Sequence, residues 1–178
     1  MAKVKANFRN LKDSVSLTVS KALKDEKLLN EIGEVIVTNS KAESRLGRDP
    51  KTGASYAGFS GENAERYVKT RDRIAQRLGA GRNFKPSKSN LTITGQLLDS
   101  IKHRVENNKL IIEPTGFHKP YSSNSSTNTV RNEQLAEWHT RGMGGYPARR
   151  VLGINDKTKR IVKNLIDAFL RRTVKFQR

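Results

Sequence analysis

The chain has 178 residues, with 35 lysines and arginines against 17 aspartates and glutamates, and its formal net charge is +18. This length predicts a single domain over residues 1–178, since domains commonly contain about 100–200 residues, and an apolar content of 34% is enough for one modest core. The lack of cysteine excludes disulfide scaffolds and thiolate zinc sites, and no run approaches the roughly 20 apolar residues that cross a bilayer.

Two amphipathic helices are predicted at the start of the chain. The first follows apolar residues spaced three and four apart: Phe8, Leu11, Val15, Val19 and Ala22. The second begins after Asp25, a residue type that caps helix N-termini, and its apolar stripe runs towards Leu46. Residues 48–56 then have turn chemistry, because Pro50 restricts the residue before it and Gly53 permits positive φ.

The middle of the chain predicts a helix, a loop and a hairpin. Residues 61–78 have a helical apolar stripe among many charges, and residues 79–89 are a basic loop rich in helix breakers. Thr94 is expected to cap a short helix that carries Leu97, Leu98 and Ile101. The segments 102–106 and 109–113 flank Asn107-Asn108, which predicts a β-hairpin.

The last third predicts two more helices. Residues 115–130 are polar and of low complexity, so we expect an exposed loop there. Residues 131–140 form a short helix with Leu135, Ala136 and Trp138 near one another, and the glycines that follow Arg141 break it. The final amphipathic helix is capped by Asn155 or Asp156.

No constellation of side chains predicts an enzyme. The three histidines lie in unrelated contexts, and neither a metal site nor a nucleophile–base arrangement can be assembled from the spacing. Neither Gly79-Ala-Gly81 nor Gly142-Met-Gly-Gly145 has the spacing of a phosphate-binding loop. We therefore expect a protein with no catalytic residues, no metal and no cofactor.

The positive charge is unevenly distributed along the chain. Residues 41–90 carry a net charge of +7 and residues 141–178 one of +9, whereas residues 91–140 are neutral. Such density favours contact with a polyanion, with nucleic acid first and an anionic membrane or an acidic protein behind it. No aromatic–basic platform can be picked out, which argues against base recognition. The candidates for DNA-facing or ring-contact residues are Arg149, Arg150, Lys157, Lys159, Arg160, Lys163, Arg171 and Arg172.

Four short segments occur in a recognisable order. They are Asp49-Pro-Lys-Thr-Gly-Ala-Ser-Tyr56, Leu91-Thr-Ile-Thr-Gly-Gln-Leu-Leu-Asp-Ser-Ile101, Leu135-Ala-Glu-Trp-His-Thr-Arg-Gly142 and Tyr146-Pro-Ala-Arg-Arg-Val-Leu-Gly153. In these residues the chain resembles the phage virion-morphogenesis proteins, small neck and tail-completion components between the capsid portal complex and the tail tube. Tyr56 stands where that family usually has tryptophan, and Leu135 where an aromatic residue is common.

The resemblance implies an α+β fold, with a small antiparallel sheet packed against N-terminal and C-terminal amphipathic helices and with long polar loops. Residues 61–90 then look like a basic insertion or extended loop. The positions that carry the family pattern have structural roles: Asp49, Pro50, Gly53, Tyr56, Gly95, Leu97, Trp138, Gly142, Pro147 and Gly153. Arg149, inside the last segment, could bind a carboxylate of this or a neighbouring subunit, or could equally face solvent.

The resemblance also implies a function. It predicts a structural virion protein, made in the host cytoplasm, that forms a homo-oligomeric ring, commonly of six subunits, at the head–tail interface. Its partners would be the connector or head-closure protein, the tail terminator or tail tube, and phage double-stranded DNA passing non-specifically through the channel. Residues 79–90 and 115–130 are candidates for contacts to neighbouring rings. The alternative is a stand-alone, sequence-nonspecific nucleic-acid-binding module that uses the C-terminal basic helix.

Overall fold

The computed structural model describes residues 24–58, 61–77, 95–118, 130–142 and 147–175. The predicted helix over residues 8–22 and the predicted loop over residues 79–89 lie outside these ranges. The described residues form five helices and four short strands. The helices are α1 (Glu26–Arg45), α2 (Gly61–Arg77), α3 (Gln96–Asp99), α4 (Asn132–Arg141) and α5 (Asp156–Lys175), and the strands are β1 (Ile101–Glu106), β2 (Lys109–Pro114), β3 (Phe117–His118) and β4 (Val130–Arg131).

Helix α1 begins and ends as the sequence predicts. The Asp25 carboxylate accepts a hydrogen bond from the Leu28 amide at 2.8 Å, which satisfies one of the free N–H groups of the first turn. Leu46 is the C-cap, and Gly47 follows with φ of +73°. One face of α1 is buried in the core against the hairpin and α5.

The predicted hairpin is confirmed. Asn107 and Asn108 form its two-residue turn with φ of +51° and +57°, a conformation that asparagine adopts more readily than most residues. The antiparallel register runs from Ile101 opposite Pro114 to Glu106 opposite Lys109. Alternation along the strands places one face of the hairpin on α1, where the lack of a side chain at Gly33 admits His103.

The segment before the hairpin differs from the prediction in one respect. Helix α3 contains Leu97 and Leu98, both buried, but it ends at Asp99, and Ile101 is the first residue of β1. Ile101 keeps its core position through the strand because it pairs with Pro114. The residue that precedes α3 is Gly95, at φ of +72°, without a side-chain cap; Thr94 lies outside the described residues.

The predicted loop over residues 115–130 is shorter than expected. Its two ends form the β3–β4 ladder, in which Phe117 pairs with Arg131 and His118 with Val130. The buried Asn132 donates from its side-chain amide to the Thr115 carbonyl at 2.8 Å, and its backbone amide donates to Gly116 at 3.0 Å. These bonds join the first residues of the segment to the start of α4. Residues 119–129 lie outside the described ranges.

The core joins α1, α3, the hairpin, α4 and α5. Its fully buried side chains include Leu28, Ile32, Leu98 and Ile101, and α5 contributes Val162 and Ile166. Asn155 caps α5, since its side-chain oxygen accepts hydrogen bonds from the Thr158 amide and hydroxyl, both at 2.9 Å. The predicted α+β class is confirmed: two small antiparallel ladders pack with helices from both ends of the described chain.

Candidate functional site

Helix α5 separates its apolar and basic residues onto opposite sides. Thr158, Val162 and Ile166 are buried against the core. The opposite side is exposed and carries the lysines and arginines predicted to face DNA or a ring neighbour: Lys157, Lys159, Arg160, Lys163, Arg171 and Arg172. The structure therefore places these six predicted residues on the surface of one helix, which we call the α5 basic face.

Two lysines of the α5 basic face are paired within the helix. Lys159 contacts the Asp156 carboxylate at 2.9 Å, and Lys163 contacts that of Asp167 at 2.6 Å. The hydrogen bond from Lys159 lowers the pKa of Asp156. Lys157, Arg171 and Arg172 are in no ion pair among the residues that the structure describes. The face thus keeps a net positive charge that is available to a polyanion.

The first family-like segment forms a closed turn. The Asp49 carboxylate accepts hydrogen bonds from the backbone amides of Lys51 and Thr52, at 2.7 and 3.3 Å. Gly53 has φ of +73° and donates its amide to the Asp49 carbonyl at 2.7 Å. Pro50 is fully buried. Asp49 therefore organises the turn through its own side chain, as an Asx turn does.

Tyr56 attaches this turn to the segment before α5. Its hydroxyl lies 3.2 Å from the Ser44 hydroxyl and donates to the Arg150 backbone carbonyl. Burial raises the pKa of Tyr56 to about 12. The Arg150 guanidinium, which is half exposed, lies 3.5 Å from the Asp49 carboxylate. A tyrosine can make these bonds because it has a polar tip on an apolar ring.

Gly153 is required by the close approach of the same two segments. A Cβ atom at Gly153 would lie 2.4 Å from the Lys51 amide nitrogen and 2.7 Å from its Cα. The Gly153 carbonyl also accepts a hydrogen bond from Ser40 on α1 at 3.1 Å. Two of the predicted segments, distant in sequence, are thus packed backbone against backbone beside α1.

Arg149 does not lie on the surface. Its side chain is 3% exposed and donates to the Ala57 carbonyl at 3.1 Å, while its backbone amide donates to the His139 backbone carbonyl at 2.6 Å. Burial lowers the pKa of the Arg149 guanidinium. The prediction that Arg149 faces DNA or a ring neighbour is therefore wrong for this conformation. Arg149 instead links α4 to the residues that follow Tyr56.

Sequence reasoning missed the side chains that surround Arg149. On α2, Tyr67 and Arg71 are buried, and the Arg71 guanidinium lies 5.0 Å from the centroid of the Tyr67 ring, a cation–π geometry. On α4, burial together with the charge of Arg149 and, to a smaller extent, that of His118 lowers the pKa of His139 to about 4. The spacing of four between Tyr67 and Arg71 is the one signal in the sequence that places them on the same helix face.

The remaining predicted structural positions have diverse environments. Leu97 is in the core, and Gly95 and Gly142 take positive φ at the start of α3 and the end of α4. Pro147 is half-buried. Trp138 is 39% exposed on the outer side of α4, so it does not anchor the core.

The chain matches a known protein family over a range that contains all four segments. The sequence model of the phage virion morphogenesis family matches residues 6–171. The chain belongs to this family. The resemblance seen in the four segments is confirmed, and the match also includes α1. No curated protein and no solved structure matches this virion morphogenesis protein.

Family membership gives the protein a role in building the phage virion. Among its described residues no group of histidines and carboxylates is arranged to hold a metal ion. No helix in the described part of the chain is long and apolar enough to cross a membrane. The α5 basic face is a charged feature for which a partner can be sought.

Proposed function

We propose that this virion morphogenesis protein is a structural component of the head–tail junction of a tailed phage. In this proposal it acts in the neck or in tail completion and assembles into a ring through which DNA passes. The observation that carries the proposal is the α5 basic face, exposed on a chain that belongs to the phage virion morphogenesis family.

The exposed lysines and arginines of the α5 basic face are suited to contact DNA that passes through a channel. Lys157 and Arg172 are 15 residues apart on the helix, a distance of about 22 Å at 1.5 Å per residue. A face of this length meets several phosphates of a duplex. Contacts to phosphates carry no sequence information, so a genome can slide past such a face without being held at one sequence.

The proposal is structural rather than enzymatic. The connector above, the tail tube below and the DNA in the channel are the partners that it requires. Neighbouring subunits and rings must bind the surfaces that remain outside the α5 basic face. The alternative function, a stand-alone DNA-binding module, would use the same basic face, so the test must measure location and assembly as well as DNA affinity.

The first experiment removes charge from the face that the structure exposes. The variant combines Lys157→Gln, Arg160→Gln and Arg171→Gln, all at exposed positions. We expect unchanged thermal unfolding, a shallower salt dependence of duplex DNA binding by about one unit of log–log slope per charge removed, and reduced DNA retention or infectivity of particles that carry the variant.

The matched control removes the same charge elsewhere. Lys27→Gln, Lys102→Gln and Lys109→Gln replace three exposed lysines on α1 and the hairpin. This variant should keep the salt dependence and the infectivity close to those of the native protein. Equal losses in both variants would show that only total charge matters and would contradict the assignment of the α5 basic face.

The second experiment locates the protein. Cryo-electron microscopy of particles with a tagged chain should show density for a closed ring between the portal and the tail tube. A chain that binds DNA with a steep salt dependence but remains monomeric and never enters particles would refute the proposal and favour the stand-alone module.

A further inference from the structure

Two exposed aromatic side chains lie beside the same helix. Trp138, on α4, is 39% exposed, and Phe117, on the adjacent strand β3, is 58% exposed. The Arg131 guanidinium lies 6.0 Å from the centroid of the Phe117 ring. Gln134, Trp138 and Arg141 follow at spacings of four and three, so they share one side of α4. We call this surface the α4 stripe: Phe117, Arg131, Gln134, Trp138 and Arg141, all exposed.

The side chains of the α4 stripe are those that dominate protein interfaces. Tryptophan and arginine are the residues at which truncation most often costs a large part of the binding energy. The opposite side of α4, with Asn132 and Ala136, is already buried in the protein. The Trp138 side chain is therefore not needed for packing α4 onto its own chain, and contact with another molecule would bury it.

The charge around the α4 stripe selects the partner. Arg141 is paired with Glu137 at 2.6 Å, and Glu133 lies in the first turn of α4 near Arg131. The two arginines of the stripe are thus bordered by two glutamates, and the stripe from Phe117 to Trp138 lies within residues 91–140, whose net charge is zero. A chain of net charge +18 repels its own copies over its basic surfaces, so self-association is least opposed here.

The same balance disfavours DNA as the occupant. A surface whose arginines are offset by glutamates attracts few phosphates, and counterion release on binding is then small. The α5 basic face, by contrast, provides uncompensated lysines and arginines for a polyanion. DNA and a second copy of the protein therefore favour different surfaces.

We propose that the α4 stripe is the contact through which one copy of this protein binds the next. The inference deepens the proposed ring and rests on it. Phe117 and Trp138 supply the apolar centre of the contact, and Arg131, Gln134 and Arg141 supply its polar border.

Trp138 is the only tryptophan in the chain, so its fluorescence reports directly on this surface. The full chain should be diluted through its association range, with mass measured by light scattering and emission measured on the same samples. Association through the α4 stripe should shift the Trp138 emission to shorter wavelength and protect it from acrylamide. Mass that increases while Trp138 stays fully quenchable would overturn the inference.

Two variants test the contribution of each kind of side chain. Trp138→Ala removes the apolar centre and should weaken self-association by about 30-fold or more, the loss typical of an interface hot spot. Glu137→Lys makes the stripe positive and should weaken it in the same direction. Leu46→Ala is the matched control, because Leu46 is 67% exposed at the end of α1 and outside the stripe.

The possible outcomes separate this inference from the proposed function. A ring that persists in Trp138→Ala overturns the α4 contact and leaves the junction proposal standing. A dimer, rather than a ring, that dissociates in Trp138→Ala supports the contact and contradicts the ring. Weakening by Leu46→Ala to the same extent, or a variant that loses DNA binding while keeping its native mass, would overturn the inference.

Discussion

Arg149 and Arg150 are adjacent in sequence and lie in opposite environments. Arg150 is half exposed and paired with Asp49, whereas Arg149 is buried and donates to the Ala57 carbonyl. Both residues lie outside the helices and strands, between α4 and α5, so no helix or strand period predicts which of the two is buried. Burial of one arginine of the pair has consequences for its titratable neighbour, His139.

His139 makes the stability of the protein depend on pH. Burial and the nearby Arg149 hold the pKa of His139 to about 4 in the folded state, against about 6.5 in the unfolded chain. The unfolded state therefore binds more protons between these values, so this contribution to stability is complete above the unfolded pKa and is lost as the pH falls towards 4. We expect a loss of about 2 kcal/mol in the free energy of unfolding between pH 7 and pH 5 from this group.

Urea unfolding of the native protein and of His139→Gln at both pH values measures this contribution. His118, whose pKa burial also lowers, and the carboxylates contribute to both proteins, so the difference between them isolates His139. The glutamine variant should lose less stability on acidification than the native protein. Identical pH dependence in the two would show that the imidazole of His139 is accessible to protons in the folded state.

Helix α1 is the element on which the other parts of the protein meet. Its buried face receives the hairpin and α5, and Ser40 and Ser44 bond to the segments around Gly153 and Tyr56. Gly33 lies where the hairpin comes closest. A Cβ atom there would be 2.5 Å from Cδ2 of His103 and 2.8 Å from Cδ1 of Leu110. Glycine is thus retained in the middle of a helix because the strand side chains need its space.

Gly33→Ala should consequently have opposite effects on the helix and on the protein. In an isolated helix the change is favourable by about 1 kcal/mol, but forced packing in a core typically costs about 1–3 kcal/mol. We expect Gly33→Ala to destabilise the folded protein by about 1–2 kcal/mol in chemical unfolding.

A double-mutant cycle with His103→Ala tests the cause. Without the imidazole most of the clash is removed, so Gly33→Ala should cost much less in the His103→Ala background than in the native one. Stabilisation by Gly33→Ala in the native background would mean that the hairpin lies farther from α1 than the structure shows.

In the described part of the molecule, the exposed aromatic side chains Phe117 and Trp138 lie on other elements than the α5 basic face. The α5 basic face carries exposed lysines and arginines, and the charge-balanced α4 stripe carries Phe117 and Trp138. Charge-driven and apolar contacts respond differently to salt, because screening weakens the former and relieves the mutual repulsion of the copies. The two proposed partners can thus be distinguished by ionic strength alone.

We expect DNA binding and self-association to respond to salt in opposite directions. If the basic faces contact six to ten phosphates, DNA affinity should fall by about 10³–10⁵ between 50 and 200 mM salt. The assembled mass should stay constant or increase over the same range. Anisotropy of a labelled duplex and light scattering on the same samples measure both, and assembly that dissolves with added salt would show that charge pairs hold the copies together.

The features that the sequence alone determined are those that depend on neighbouring residues. Asp25 as a cap, Asn107-Asn108 as a turn, the amphipathic stripes of α1 and α5 and the glycine at the end of α4 are all confirmed. Each results from hydrogen bonds or backbone angles within a few residues, or from the period of a helix. The four ordered segments likewise sufficed to recognise the family that matches residues 6–171.

Tertiary structure decided which side chains those elements hide and which they bring together. The sequence offered no aromatic–basic platform, yet the β3–β4 ladder brings Phe117 to Arg131, at the start of the helix that carries Trp138. The burial of Arg149 and the end of α3 before Ile101 were also decided at this level. Whether a side chain is buried depends on residues distant in sequence that pack against it, and neither composition nor periodicity contains that information. The net charge of +18 follows from the sequence. The separation of the α5 basic face from the α4 stripe exists only in the folded protein.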